Sequence, residues 1–591
     1  MGTERPAQNR EAWFRGPPAG ARRVARLTQR IGALRQRTPA GEGIGAGDGP
    51  ARAHGDESLR AGSGLTSKEL ALRRGVSVWT IEHGEAEGQE PARRSCKVAA
   101  SAGKTIPVNV WGEIVSGAGR GSTLVLAGLT LVIVIRFFTE VVPILPRPVQ
   151  FIDIPIFITI VGAALIGPRR RPEASPELKG QNLTPIIVLG FLFLVVCAAA
   201  TFPNLSRVDL APALVFVYGF LGPLALALAV YRLWPVGAAL RLSKLLVALG
   251  LVQIAVAMLI DLPRYLTSQN PDVISGTFGE NAYQLVFFLL VLVALLTGIY
   301  SFEKYRMVVR FVPLLLLLVV AIIIFAQFRS LVPTMALTVV LLAWILSRSG
   351  GRGVVISALA AATLFGTLAY AVQNIPALKF GTALEQTRND PTLYVKKRVQ
   401  TLDTVGRLFG EDSRYAITGT GPGTYSSRAW STFARTTSSE TDVVGDYIVN
   451  FTGGRRYSTD VADKYVLPQL ASLEVIDGSY AVTSPLSSYL SLLAETGVLG
   501  FALIAAAYAW ALMSSLRMTL VSVCTATPGD PLPALLCAST VAFFVLLQMA
   551  ILENWLEVTR ITFLCWILFA VVTKEFHCRA RGVPDPQLAS Q

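Results

Sequence analysis

Between Ser122 and Val572 the chain returns repeatedly to apolar runs that carry almost no charge, most of them about as long as a helix needs to cross a hydrocarbon core. That feature leaves the backbone little choice. In lipid every N–H and C=O must find its partner within the segment, so the runs predict an all-α polytopic membrane protein rather than a string of soluble domains. With 52% hydrophobic residues against 16% charged, a soluble core could not hide so many of them. They read approximately 122–145, 151–167, 185–201, 211–230, 244–260, 284–300, 311–325, 331–346, 354–372, 485–516, 532–552 and 561–572, which predicts about 12 transmembrane helices.

A formal net charge of +14 raises the question of nucleic acid, but the excess is distributed as a topology signal. Basic clusters at Arg169 to Arg171, Arg232 with Arg241 and Lys244, Lys304 with Arg306 and Arg310, Arg348 with Arg352, Arg517, and Lys574 with Arg579 and Arg581 fall at every second connection. The positive-inside rule then predicts that these connections and both termini are cytoplasmic, and that the alternate connections face outward. Membrane lipids are the expected neighbours and no nucleic-acid partner is expected. The six cysteines show neither a disulfide framework nor metal-ligand spacing, so no metal and no cofactor is expected.

Residues 1–120 are basic and rich in Arg, Gly, Ala and Pro, and are expected to form a largely disordered cytoplasmic tail. Within it Leu65-Thr66-Ser67-Lys68-Glu69-Leu70-Ala71-Leu72-Arg73-Arg74-Gly75 and the residues on to Glu82 resemble a helix-turn-helix, but nothing after Glu82 supplies the helices that would close its core, which favours a degenerate tail. Spans one to nine occupy 121–372. A large loop, 373–484, lies between the ninth and tenth spans and is expected to be extracytoplasmic. Spans ten to twelve occupy 485–573, and 574–591 form a cytoplasmic tail. The loop's Tyr394, Tyr415, Tyr425, Trp430, Tyr447, Phe451 and Tyr480 offer something to bury against the bundle, and without a disulfide its order must come from docking.

Two stretches at this loop carry a resemblance. Gly419-Thr420-Gly421-Pro422-Gly423-Thr424-Tyr425 follows a segment running from Arg398-Val399-Gln400 to Arg407-Leu408-Phe409-Gly410. Leu486-Ser487-Ser488-Tyr489-Leu490-Ser491-Leu492-Leu493-Ala494-Glu495-Thr496-Gly497-Val498-Leu499-Gly500 leads from the loop into the tenth span. Together with the weaker Gln327-Phe328-Arg329-Ser330, these resemble the motifs of the O-antigen ligase and polymerase family. Leu486 stands where that family has its histidine, Ser487 where it has asparagine, and Phe328 where it has serine.

The resemblance implies transfer or polymerisation of a glycan from a polyprenyl-diphosphate donor to a glycan or lipid acceptor, at the outer face of the bacterial cytoplasmic (inner) membrane and possible within a polysaccharide-assembly complex. It implies a metal-independent glycosyltransferase. The departing diphosphate gathers negative charge, which a guanidinium stabilises at any physiological pH. Arg329 at the outward rim is the first candidate clamp, Arg398 the second and Arg264 the third, each against the bland alternative of snorkelling to headgroups.

The only histidines, His54, His83 and His577, fall on the expected cytoplasmic side. A base for the acceptor hydroxyl would therefore be a carboxylate, with Glu495, Asp477 or Glu474 available; otherwise the reaction proceeds with little base assistance or the activity is lost. Glu495 has the alternative of anchoring the loop. Gly421 and Gly423 with Tyr425 either expose amides to an anion or make a plain turn. Ser487 is a candidate contact for substrate, Tyr489 is a sugar platform or an interfacial anchor, and Gly497 and Gly500 are spaced for close helix packing. Two other classes compete: a transporter or flippase of a lipid-linked saccharide, and a non-catalytic assembly protein. Few ionisable residues fall mid-span and no internal repeat is evident, which favours chemistry at the surface.

Overall fold

The computed structural model describes residues 120–142, 144–145, 149, 152–166, 183–268, 273–279, 282–302, 306–326, 331–348, 393–433, 458–469, 487–527 and 529–580. All of these belong to one compact unit, and among them there are helices and no strands. The helix-turn-helix-like stretch 65–82 and the expected ninth span 354–372 lie outside the described residues.

The apolar runs become α1 (Arg120–Arg136), α2 (Asp153–Ile166), α3 (Thr184–Thr201), α4 (Leu210–Leu233), α5 (Ala239–Val256), the short α6 (Leu262–Ser268), α7 (Ala282–Phe302), α8 (Arg306–Phe325) and α9 (Leu331–Ser347). The loop contributes α10 (Leu393–Glu411), α11 (Arg414–Thr418) and α12 (Arg428–Phe433), and the chain closes with α13 (Ser488–Thr525), α14 (Leu532–Leu552) and α15 (Thr559–Ala580). Eight of the described segments are long and apolar enough to cross a membrane, with shorter apolar helices at Asp153–Ile166, Phe311–Phe325 and Thr334–Ser347. The chain is a multi-pass α-helical membrane protein.

Local chemistry accounts for several boundaries. The Asp209 carboxylate accepts from Ala211 N and starts α4, and Pro185 in the first turn of α3 needs no N–H partner there. α13 extends past the 485–516 run at its C-terminal end, and a glycine break at Gly497 (φ +65°) separates a short first helix from the long second one. A Cβ at Gly497 would lie 2.2 Å from the Ile417 carbonyl oxygen, so the break is where α11 packs closely against α13. At Gly500 the atom nearest a Cβ position is Thr496 Oγ1 on the same helix, at 2.2 Å.

The ends of the bundle are chemically distinct. At one end Lys574 Nζ donates to the Trp234 carbonyl, Arg579 pairs with Asp530, Gly529 N donates to Phe302 O at 2.9 Å, and Gly237 N donates to the buried Glu575 at 3.0 Å. Arg232, Arg241 and Lys244 sit in the same helix ends. Between the ends, α13, α14 and α15 pack through Tyr508, Phe543, Trp566 and Phe569, and through Ser515 with Ser539 (3.2 Å) and Thr519 with Thr540 (2.8 Å).

The loop helices form a cap at the opposite end. α10 turns Thr401, Thr404, Val405 and Leu408 inward at helical spacing and leaves Leu402, Asp403 and Arg407 exposed. Val405, Leu408, Tyr425, Trp430, Val461, Ala462 and Val466 make a small core against Ala494 of α13. Arg207, between α3 and α4, ties the cap down by donating to the Tyr415 hydroxyl and pairing with Asp460 at 2.9 Å. The expected docking of Tyr415, Tyr425 and Trp430 is thus accounted for; Tyr447, Phe451 and Tyr480 lie outside the described residues.

Candidate functional site

The glycine turn meets α13 around one carboxylate. Glu495 is fully buried, and its Oε2 accepts from Gly423 N at 2.5 Å while Oε1 accepts from Tyr425 N and Ser427 N, both at 3.0 Å. The main chain pairs as well: Thr420 N donates to Ala494 O at 2.9 Å and Gly421 N to Glu495 O at 3.0 Å. Positive φ at Gly419, Gly421 and Gly423 turns the intervening amides inward, which L side chains rarely permit. The turn does bind an anion through its backbone, and the anion is the side chain of Glu495. With three turn amides on its two oxygens, Glu495 anchors the turn to α13.

The turn delivers Arg428 to the cap end of the bundle. Arg428 N donates to Glu557 Oε2 at 2.7 Å, and its guanidinium donates to the Tyr283 hydroxyl at 3.2 Å. Glu557 lies in the connection between α14 and α15, only 7% exposed. Burial, then the nearby Glu495 carboxylate, pushes its carboxyl up to about 8, against the opposing pull of Asn554 and Arg428. Ser488 at the start of α13 holds this connection in place: its Oγ donates to Asn554 Oδ1 at 2.8 Å and accepts from Leu556 N at 2.9 Å.

Arg560 follows on the first turn of α15, also buried, with Arg136, Asp153, Glu140 and Tyr283 as its charged and polar surroundings. Thr559 Oγ1 donates to Asp153 Oδ2 at 2.7 Å, and Arg136 Nε lies 3.3 Å from Glu140 Oε1. Arg136, Arg428 and Tyr283 are half-buried, so the cluster keeps a face toward the outside. Directly inward is a small apolar cavity of about 10 Å³, lined by Gly128, Val132, Ile156, Ile160, Phe563 and Ile567 among others. On each wall a charge sits one helical turn above an apolar lining residue: Arg136 above Val132, Asp153 above Ile156, Arg560 above Phe563.

The other expected residues fall differently. Arg264 is exposed on α6 with Nη2 3.4 Å from the Val141 carbonyl oxygen. Tyr489 is no open platform: its hydroxyl donates to Leu547 O at 3.0 Å and its ring meets Phe501 edge-on. Ser487 Oγ donates to Ala550 O at 3.1 Å, and the Tyr425 ring is buried in the cap core. Arg329, the Arg398 side chain, Leu486, Glu474 and Asp477 lie outside the described residues. Sequence reasoning missed Arg136, Asp153, Arg428, Glu557 and Arg560. The dense polar connection Asn554-Trp555-Leu556-Glu557-Val558-Thr559-Arg560 between two apolar runs is the signal that would have found the last two.

Fold and site define a multi-pass helical membrane protein with a polar cap at one end. No protein-family model matches the chain, and no curated protein matches it.

Proposed function

We propose that this chain is an O-antigen ligase- or polymerase-like enzyme that transfers or polymerises a polyprenyl-diphosphate-linked glycan at the outer face of the bacterial cytoplasmic membrane. In this reading it has about 12 spans with both termini in the cytoplasm, by charge bias and hydropathy. One observation supports it most: half-buried Arg136 and Arg428 and buried Arg560 gather around Tyr283 at the end opposite the basic connections. The guanidinium groups suit the diphosphate that must leave. Acidic neighbours keep the cluster near neutrality until the donor's own charge arrives. Among the described residues the ionisable groups cluster at the two ends of the bundle rather than along its middle, which favours transfer chemistry over transport.

The test replaces Arg428 by Ala and follows glycan length and attachment in cells. Loss of a guanidinium that acts on the leaving group lowers turnover by ~10²- to 10³-fold, in the range of other charge-stabilising donors. Wild-type product at normal protein abundance would remove Arg428 from the mechanism.

A further inference from the structure

We infer that Glu557 is the group that accepts the proton of the attacking acceptor hydroxyl, in place of a histidine. The inference rests on the transferase reading and adds the residue that reading lacks. Its basis is geometric. Of the two carboxylates that close on the glycine turn, Glu495 has both oxygens occupied by amides at 2.5–3.0 Å. Glu557 is held by one oxygen only: Oε2 accepts from Arg428 N at 2.7 Å, whereas Oε1 is buried without a hydrogen-bond partner among the described residues. A buried carboxylate oxygen left without a donor is costly, and it persists where it has a further task.

The surroundings tune that oxygen. Glu495 faces it from α13, and Arg428 faces it from the turn, with the guanidinium bound to Tyr283 of α7. From α4 the contact is Gly219, whose Cβ position lies 3.7 Å from Glu557 Cγ and carries no charge. In its own connection the Asn554 amide lies beside it, and Glu553 sits within the field of Arg428. These neighbours and its burial hold the carboxyl near neutrality in its affinity for protons, where general bases are most effective.

The step balances without any further reagent. The acceptor oxygen bonds to the anomeric carbon, the bond from that carbon to the diphosphate oxygen breaks, and the lipid diphosphate leaves with the electron pair. The hydroxyl proton passes to Glu557 Oε1 and from there to water.

The experiment uses the full chain in lipid nanodiscs with a synthetic polyprenyl-diphosphate oligosaccharide as donor and a matching oligosaccharide as acceptor, and reads the initial rate from pH 5 to 10. Wild type is expected to show an acid limb, the rate rising tenfold per pH unit until Glu557 is ionised. In E557Q the limb disappears and the plateau falls by ~10²- to 10⁴-fold, the usual worth of a positioned base. E557D keeps the charge and is expected to retain the limb at a reduced rate; it also covers the case in which the Gln variant does not fold. An active wild type with an unchanged rate and limb in E557Q, or a limb-free profile in a folded E557D, overturns the role of Glu557 and leaves the transferase reading standing. A wild type inactive with this donor at every pH overturns both.

Discussion

Glu495→Gln is the most direct perturbation of the cap. Three turn amides end on this carboxylate, one on Oε2 and two on Oε1. An amide side chain offers one acceptor oxygen, and the less costly orientation keeps it on Tyr425 and Ser427 and turns the NH2 toward Gly423. One buried N–H then faces a donor, at ~1–3 kcal/mol, and the other two bonds lose their charge assistance, at about 1 kcal/mol together. The sum, ~2–4 kcal/mol, raises the opening equilibrium of the turn roughly 30- to 700-fold at 1.4 kcal/mol per tenfold. Amide hydrogen exchange on peptides spanning 419–428 in the full chain measures it directly. Exchange within about threefold of wild type, where this cost requires at least ~30-fold, would refute the claim that Glu495 organises the turn.

Two further outcomes follow from the same geometry. The Glu557 carboxyl is raised from 4.5 to about 8, so between those values the folded state holds a proton that the unfolded chain has released. Its contribution to stability is fully present below about pH 4.5 and is lost as pH rises toward 8, so the thermal midpoint in detergent falls over that window, and Glu557→Gln flattens this part of the profile. Gly497→Ala forces a left-handed residue at ~1–2 kcal/mol, in addition to the clash with the Ile417 carbonyl. Its cost is expected as faster exchange in α11 with α14 and α15 unchanged, and an unaltered α11 would count against the docking role of the break.

The helices were legible because lipid demands long uncharged segments: the apolar runs within the described residues became helices, eight of them long enough to cross a membrane and three shorter. The glycine turn and Glu495 were legible as motifs, but which of two roles Glu495 takes depends on a few ångströms that spacing does not encode. Arg136 and Asp153 were absorbed into apolar runs and Arg560 read as a span edge, since a lone charge in or beside such a run has an ordinary meaning. Only the packing of α1, α2 and α15 side by side turns three such positions into one cluster. Arg428 was hidden differently, because its position depends on the path of a turn whose anchors lie far away in the chain.

That distance bears on biosynthesis. The amide of Gly423 waits for a carboxylate 72 residues downstream, and the amide of Arg428 for one 129 residues downstream. The ribosome therefore releases the turn well before either anchor exists. Final assembly of this end of the molecule must wait for the connection between the last two helices, so a chain interrupted before Glu557 carries a half-fastened surface that quality-control proteases can recognise.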